Sequence, residues 1–233
     1  VIEAELLRAG LDIAWRPAVE LGFQQMLATP LGGPLGEFSL GMLPPERRLH
    51  ELNFDLPVQR ASTADLLEAF LLDPEARFGA DYRERLQRLQ VSSRGFLTGS
   101  IDLVFSDHPD PQQARWWVVD WKSNWIGERD HEGRTKLCGP RHYDQGAMEI
   151  QMLEHHYPLQ AHLYLVALHR HLQWRLPDYS PQRHLGGYVY VFLRGMPGPE
   201  GFRLRDAGPG RIVEPAPLQR VEALDRMLRV QEQ

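Results

Sequence analysis

The 233 residues are 42% hydrophobic and 24% charged, with one cysteine and a formal charge of −5 at pH 7, enough chain for one large or two small domains with a real core. No apolar run is long enough for a membrane helix, the first residues lack the basic-then-apolar order of a secretory signal, and Cys138 alone excludes a disulfide framework or a cysteine-rich zinc site, so a cytoplasmic chain is expected. The negative balance argues against a free-standing nucleic-acid binder, but not against an enzyme whose carboxylates hold metal ions against phosphate.

Apolar residues at helical spacing (Ile2, Leu6, then Val19, Phe23, Met26, Leu27), broken by Gly10, Pro17 and Pro30, predict two short helices. A Gly/Pro-rich loop follows. Leu49 to Val58 alternates as a strand that Pro57 is expected to end, and from Ser62 the capping chemistry of STADLLEAFL opens a helix. Gly95 to Phe105 and Arg115 to Ser123 read as two strands joined by the turn-rich SDHPDPQQA. Gly127 to Arg141 reads as a mobile polar loop. A helical zone in two pieces comes next, Tyr143 to His156 and Pro158 to Trp174, with Pro158 suited to a first turn. Gly186 to Gly195 is a further strand, and Leu218 to Val230 has helical spacing. The sum is a single α/β domain with a mixed sheet of four or five strands flanked by helices: a lead-in over residues 1–48, a core over 49–195 and a tail over 196–233.

The strand-like stretches carry charges where a buried sheet wants valine. Side chains alternate along a strand, so Asp120 and Lys122 project on one side while Val119 and Trp121 project on the other. A buried carboxylate is costly unless cations or hydrogen bonds compensate it. Asp102 lies on the preceding strand in GSID, and Glu51 on an earlier one. Two or three carboxylates with a lysine beside them suit a hard divalent cation such as Mg²⁺, which takes oxygen ligands, and thereby phosphodiester hydrolysis. A lone D-x-K is more often a buried ion pair; the repeated acids on neighbouring strands shift the balance. Gln160 and Tyr164, four apart, share a helical face that either lines a groove or packs half-buried.

Other candidates weigh less. His131, Cys138 and His142 are zinc-capable residue types without a zinc spacing or a fourth ligand. His155, His156, His169 and His171 are expected at the surface or as caps. Trp116, Trp117, Trp121 and Trp125 offer stacking surfaces but are expected to be mostly buried. Arg77, Arg83, Arg85, Arg88 and Arg94 cluster in sequence, either as an approach path for a phosphate backbone or as a solvated helix face.

In order, G-x-x-D (Gly99 to Asp102), D-x-K (Asp120 to Lys122) and Q-x-x-x-Y (Gln160 to Tyr164) resemble the PD-(D/E)XK nuclease superfamily, and its RecB-type branch in particular. The phrases GSIDLVF, VVDWKSNWIG, YPLQAHLYLVALHRHL and HLGGYVYVFLRG are similar to the nuclease domains of the RecB subunits of bacterial RecBCD helicase-nucleases, from about Leu49 to Gly195. The resemblance implies a restriction-endonuclease-like core and a Mg²⁺-dependent nuclease, with Mn²⁺ able to substitute and Ca²⁺ able to bind without supporting cleavage. Its substrate would be single-stranded DNA, during processing of double-strand breaks for repair. It also implies Asp102, Asp120, Glu51 and the main-chain carbonyl of Trp121 as metal ligands, Lys122 as the residue that orients or deprotonates the attacking water, and Gln160 and Tyr164 near the DNA. RecC, RecD and RecA are the implied protein partners; the alternative is a non-catalytic module that contacts them. The family also draws a histidine ligand from an N-terminal helix, and nothing before Leu49 matches it. Together with the start at Val1, that is the expectation of a fragment with weak metal binding. His50, beside Glu51 on a strand, is expected to point to the opposite face.

Overall fold

The computed structural model describes residues 1–203 and 208–229, without the side chains of residues 59, 60, 92–94 and 203. Its β-branched and aromatic runs form five strands: β1 (Arg48–Ser62), β2 (Ser92–Ser106), β3 (Trp116–Lys122), β4 (Leu185–Phe192) and β5 (Arg211–Pro215). The helices are α1 (Ile2–Arg8), α2 (Arg16–Ala28), α3 (Thr63–Ala69), α4 (Ala80–Leu86), α5 (Gln145–Glu154), α6 (Tyr157–Arg175), α7 (Pro181–His184), α8 (Gly198–Arg203) and α9 (Leu218–Leu228). The strands lie in the order β1-β2-β3-β4-β5. All neighbours are antiparallel except β3 and β4, whose parallel pairing needs the long crossover that α5, α6 and α7 supply.

Alternation sorts the strand residues onto two faces. Leu103, Phe105, Trp117, Val119, Val189 and Val191 pack beneath the N-terminal segment, against Met26, Leu31, Leu35, Leu40 and Leu43. Val104, Val118, Tyr188, Tyr190 and Phe192 pack on the other side, against Leu165, Leu168 and Leu172 of α6. Asp120 and Lys122 alternate with Val119, so they fall on the α6 face. Residues 1–48 are thus a layer of the fold. None of its helices is long and apolar enough to cross a membrane among the described residues.

Several local expectations hold for their stated reasons. Ser62 caps α3 in a capping box with Asp65, and Pro158 sits in the first turn of α6. Others are corrected. β1 continues through Pro57 to Ser62, because β1 is an edge strand and has one side on which a missing N–H costs no ladder bond. The segment RIVEP forms β5, a fifth strand too short to stand out by periodicity. Of the four tryptophans in and after β3, only Trp117 is buried; Trp121 and Trp125 follow the end of the β2–β3 ladder, where shielding by β2 stops. His169 is buried, with Nδ1 2.9 Å from the Tyr179 hydroxyl, because α9 packs over the back of α6.

His162, also on α6, is fully buried against Phe70. Its Nδ1–H donates to the Pro158 carbonyl at 2.6 Å, while Nε2 has no partner. Burial pushes the imidazole down from 6.5 to about 3, opposed by the Pro158 carbonyl and aided by the Arg220 charge. The folded-state value lies below the unfolded one, so the stability this neutral ring contributes is complete above pH 6.5 and is lost as pH falls toward 3. His162→Leu is expected to lose about 2 kcal/mol less than wild type on acidification from neutrality to about pH 5. Chemical denaturation at a series of pH values measures it, and parallel curves for the two proteins would refute it.

Candidate active site

The three acids occupy one row across three strands. The pairs His50↔Leu103 and Leu52↔Ile101 bracket Glu51 opposite Asp102, and the β2–β3 ladder, ending at Leu103↔Val119, would next set Asp102 opposite Asp120. Neither acid pair is itself a ladder pair: the β1–β2 ladder skips Glu51 and resumes at Leu52, whereas the β2–β3 ladder ends here, so β2 and β3 part at this row. The N–H of Trp121, beyond the end of that ladder, donates instead to Oδ2 of Asp102 at 3.0 Å. Gly99 precedes Asp102 for a steric reason: a Cβ there would lie 2.5 Å from the ring of Phe54, its cross-strand partner.

Glu51 shares the row without joining the other two acids. It takes the left-handed conformation (φ 52°), rare for a residue with a Cβ, and its side chain is exposed. Among the described residues no group of three or more His, Cys, Asp and Glu side chains gathers as a metal cluster. The anticipated triad is therefore a close pair, Asp102 and Asp120, with Glu51 set apart by the backbone irregularity that interrupts its strand. His50 is exposed beside it. The same finding leaves His131, Cys138 and His142 ungathered: Cys138 Sγ lies against the Tyr143 hydroxyl at 3.1 Å, and His131 is exposed.

Lys122 is the hub of the site. Its Nζ lies 2.6 Å from Oδ2 of Asp120 and donates to Oε1 of Gln160 at 3.0 Å. It also sits 3.6 Å from the centroid of the Tyr157 ring and 5.0 Å from that of Tyr190. Gln160 has its amide orientation determined on both sides: Oε1 also accepts from the Tyr190 hydroxyl at 3.0 Å, and Nε2 donates to the Tyr164 hydroxyl at 2.9 Å. The four-residue spacing of Gln160 and Tyr164 thus serves to hold the lysine, with both polar ends turned into the site.

Asp120 is 3% exposed, and burial raises its carboxyl above the ordinary range; the hydrogen-bonding and charge of Lys122 oppose that rise, and the Asp102 charge adds to it. Oδ2 of Asp120 is buried and is held by the Lys122 ammonium, 2.6 Å away, as its ion-pair partner. Two carboxylates on neighbouring strands, close enough for each to feel the other's charge, are a hard-oxygen donor set that fits Mg²⁺. Tyr164 reports the same concentration of negative charge: burial first, then the Asp120 and Asp102 charges, push its hydroxyl up to about 12 against the opposing Gln160 bond.

Other candidates lie elsewhere. Arg77 is held by Glu214 and Glu149, and Arg83 donates to the Leu67 carbonyl; the side chain of Arg94 lies outside the described residues. A groove of 460 Å³ between Leu49, Leu52 and the C-terminal half of α6 is lined almost wholly by carbon and contains none of the acid-site residues. Sequence reasoning missed Tyr157 and Tyr190, because neither belongs to a motif and only their contact with Lys122 marks them.

No family model matches this chain. It is similar to the RecBCD enzyme subunit RecB of Escherichia coli strain K12, with 33% identity over 199 residues, 84% of the chain. It is likewise similar to the RecB subunits of Mycobacterium tuberculosis strain H37Rv, at 35% over 197 residues, and of Mycolicibacterium smegmatis, at 36% over 216 residues. The chain spans 15%, 16% and 19% of the length of these three relatives.

Proposed function

Because the chain belongs to the RecB family by likeness along most of its length, we propose that it is a metal-dependent nuclease domain that hydrolyses phosphodiester bonds of single-stranded DNA during helicase-coupled processing of double-strand breaks. The observation that carries this reading is the pairing of buried Asp120 with half-buried Asp102, close enough to feel each other's charge, with the Lys122 ammonium on Asp120, at the point where the β2–β3 ladder ends.

Asp102, Asp120 and the main-chain carbonyl of Trp121 would hold Mg²⁺, with Glu51 available on the same row; Mn²⁺ would substitute, and Ca²⁺ would bind without supporting cleavage. Bound there, a divalent ion supplies positive charge to the phosphate oxygens and acidifies a coordinated water. The chain's own residues do the rest. The two aspartates set the position of the charge, Lys122 orients the attacking water and neutralises the phosphate, and Gln160 and Tyr164 fix the lysine beside the strand.

The net charge of −5 fits a domain to which other parts of an assembly deliver the DNA, with RecC, RecD and RecA as proposed protein partners. The test is incubation of end-labelled single-stranded DNA with the protein and Mg²⁺ or Mn²⁺. Slow cleavage that rises with metal concentration is expected, abolished by EDTA and restored by excess metal. Absence of cleavage with either ion would replace this reading by a non-catalytic module that contacts those partners.

A further inference from the structure

We propose that Tyr157 is a positioning residue: the face of its ring, backed by Tyr190, holds the Lys122 ammonium in place beside Asp120. The inference rests on the nuclease reading for its catalytic consequence, and on geometry alone for the contact.

An ammonium group has three N–H donors. Around Lys122, Oδ2 of Asp120 and Oε1 of Gln160 account for two directions, and the Tyr157 ring lies 3.6 Å from Nζ to centroid. Lys122 is 8% exposed, so little water competes for the charge, and in such a setting a π face attracts a cation more strongly than at an open surface. The lysine stem is otherwise flexible, with four rotatable bonds, so two oxygen contacts leave its end able to swing about them.

Tyr157 is itself held. It is the first residue of α6, following His156 in the left-handed conformation, and the imidazole of His155 stacks on its ring at 5.2 Å. Its hydroxyl donates to Oδ1 of Asn124 at 3.3 Å, two residues past Lys122, and its carbonyl lies 3.2 Å from the Tyr190 hydroxyl, whose one proton it shares with Gln160. Tyr190 is fully buried and pairs with Asp120 across the parallel strands. The ring is thus tied through its hydroxyl to the segment just after the lysine's strand, while the main chain that carries it is tied to the neighbouring strand. Such a platform sets a distance; it takes no part in bond making.

The chain contains two lysines, Lys122 and Lys136, which makes the contact directly measurable. In a sample labelled at the lysine ε-methylene, ring current is expected to move the Lys122 protons upfield of those of exposed Lys136. Tyr157→Phe keeps that displacement and Tyr157→Leu removes most of it. Coincident signals in the wild type, or a Lys122 signal unmoved in Tyr157→Leu, would overturn the proposal whether or not the protein cleaves DNA.

In cleavage assays Tyr157→Leu is expected to lower kcat about tenfold to thirtyfold at unchanged KM, with Tyr157→Phe near wild type. In a Lys122→Met background the same substitution is expected to have no further effect. An equal loss in both backgrounds would assign Tyr157 to the general structure and overturn its positioning role. A displaced Lys122 signal with no cleavage by any variant would uphold the contact while removing the nuclease reading.

Discussion

Asp120→Ala is expected to lower metal-dependent cleavage of single-stranded DNA by about 1000-fold or more, since a correctly placed cation supplies several kcal/mol of transition-state stabilisation. It is also expected to abolish saturable Mn²⁺ binding in calorimetry. Asp120 is the more buried of the paired acids and the one that the Lys122 ammonium contacts. Burial raises its carboxyl, so its charged form is an unfavourable resident unless positive charge stands near it. Lys122 supplies part of that charge, and a cation bound by the two carboxylates would supply the rest. The alanine variant leaves Lys122 with Gln160 and two aromatic rings, so a folded protein is expected, which circular dichroism checks. A folded variant that still cleaves at the wild-type rate would remove Asp120 from the chemistry.

Lys122→Met is expected to separate turnover from metal binding. Its stem nearly matches lysine in length and removes only the ammonium. Loss of a group that orients the attacking water and neutralises the phosphate is expected to lower kcat by about 100- to 10,000-fold. Mn²⁺ affinity at about pH 8, where carboxylates are ionised, is expected to be equal or tighter, because the ammonium 2.6 Å from Asp120 repels an incoming cation. The metal-free variant is expected to be less stable by about 3 kcal/mol, as when one partner of a buried pair is removed, and Mn²⁺ is expected to recover much of that by binding the uncompensated acid. Paired calorimetry and thermal denaturation, with and without Mn²⁺, check both effects. Concurrent loss of binding and turnover would mean that Lys122 organises the acids and does not act on the water.

The contrast between these two variants follows from elements of different legibility. Asp120 and Lys122 were placed on one side of a strand by simple alternation, and Gln160 and Tyr164 on one side of a helix by their spacing; both placements hold, and the two sides face each other. The first turn of α6 was legible from Pro158 and the start of α3 from Ser62, since caps act within a few residues of chain. β5 was not legible, because five residues carry too little pattern, and neither was the continuation of β1 past Pro57, which depends on which strand lies at the edge.

By itself, then, the sequence determined which side chains share a face, where helices begin and which chemistry those residue types can perform, because these follow from periodicities and local bonds that need no neighbour. Only the tertiary structure decided how the faces meet. Register between strands put Glu51, Asp102 and Asp120 on one row, yet the left-handed backbone at Glu51 kept its carboxylate out of the pair. The packing of α6 on the sheet brought the rings of Tyr157 and Tyr190 against an ammonium whose sequence neighbours do not foretell them. Contacts between residues dozens of positions apart are set by how layers pack, and no spacing within a single element encodes that.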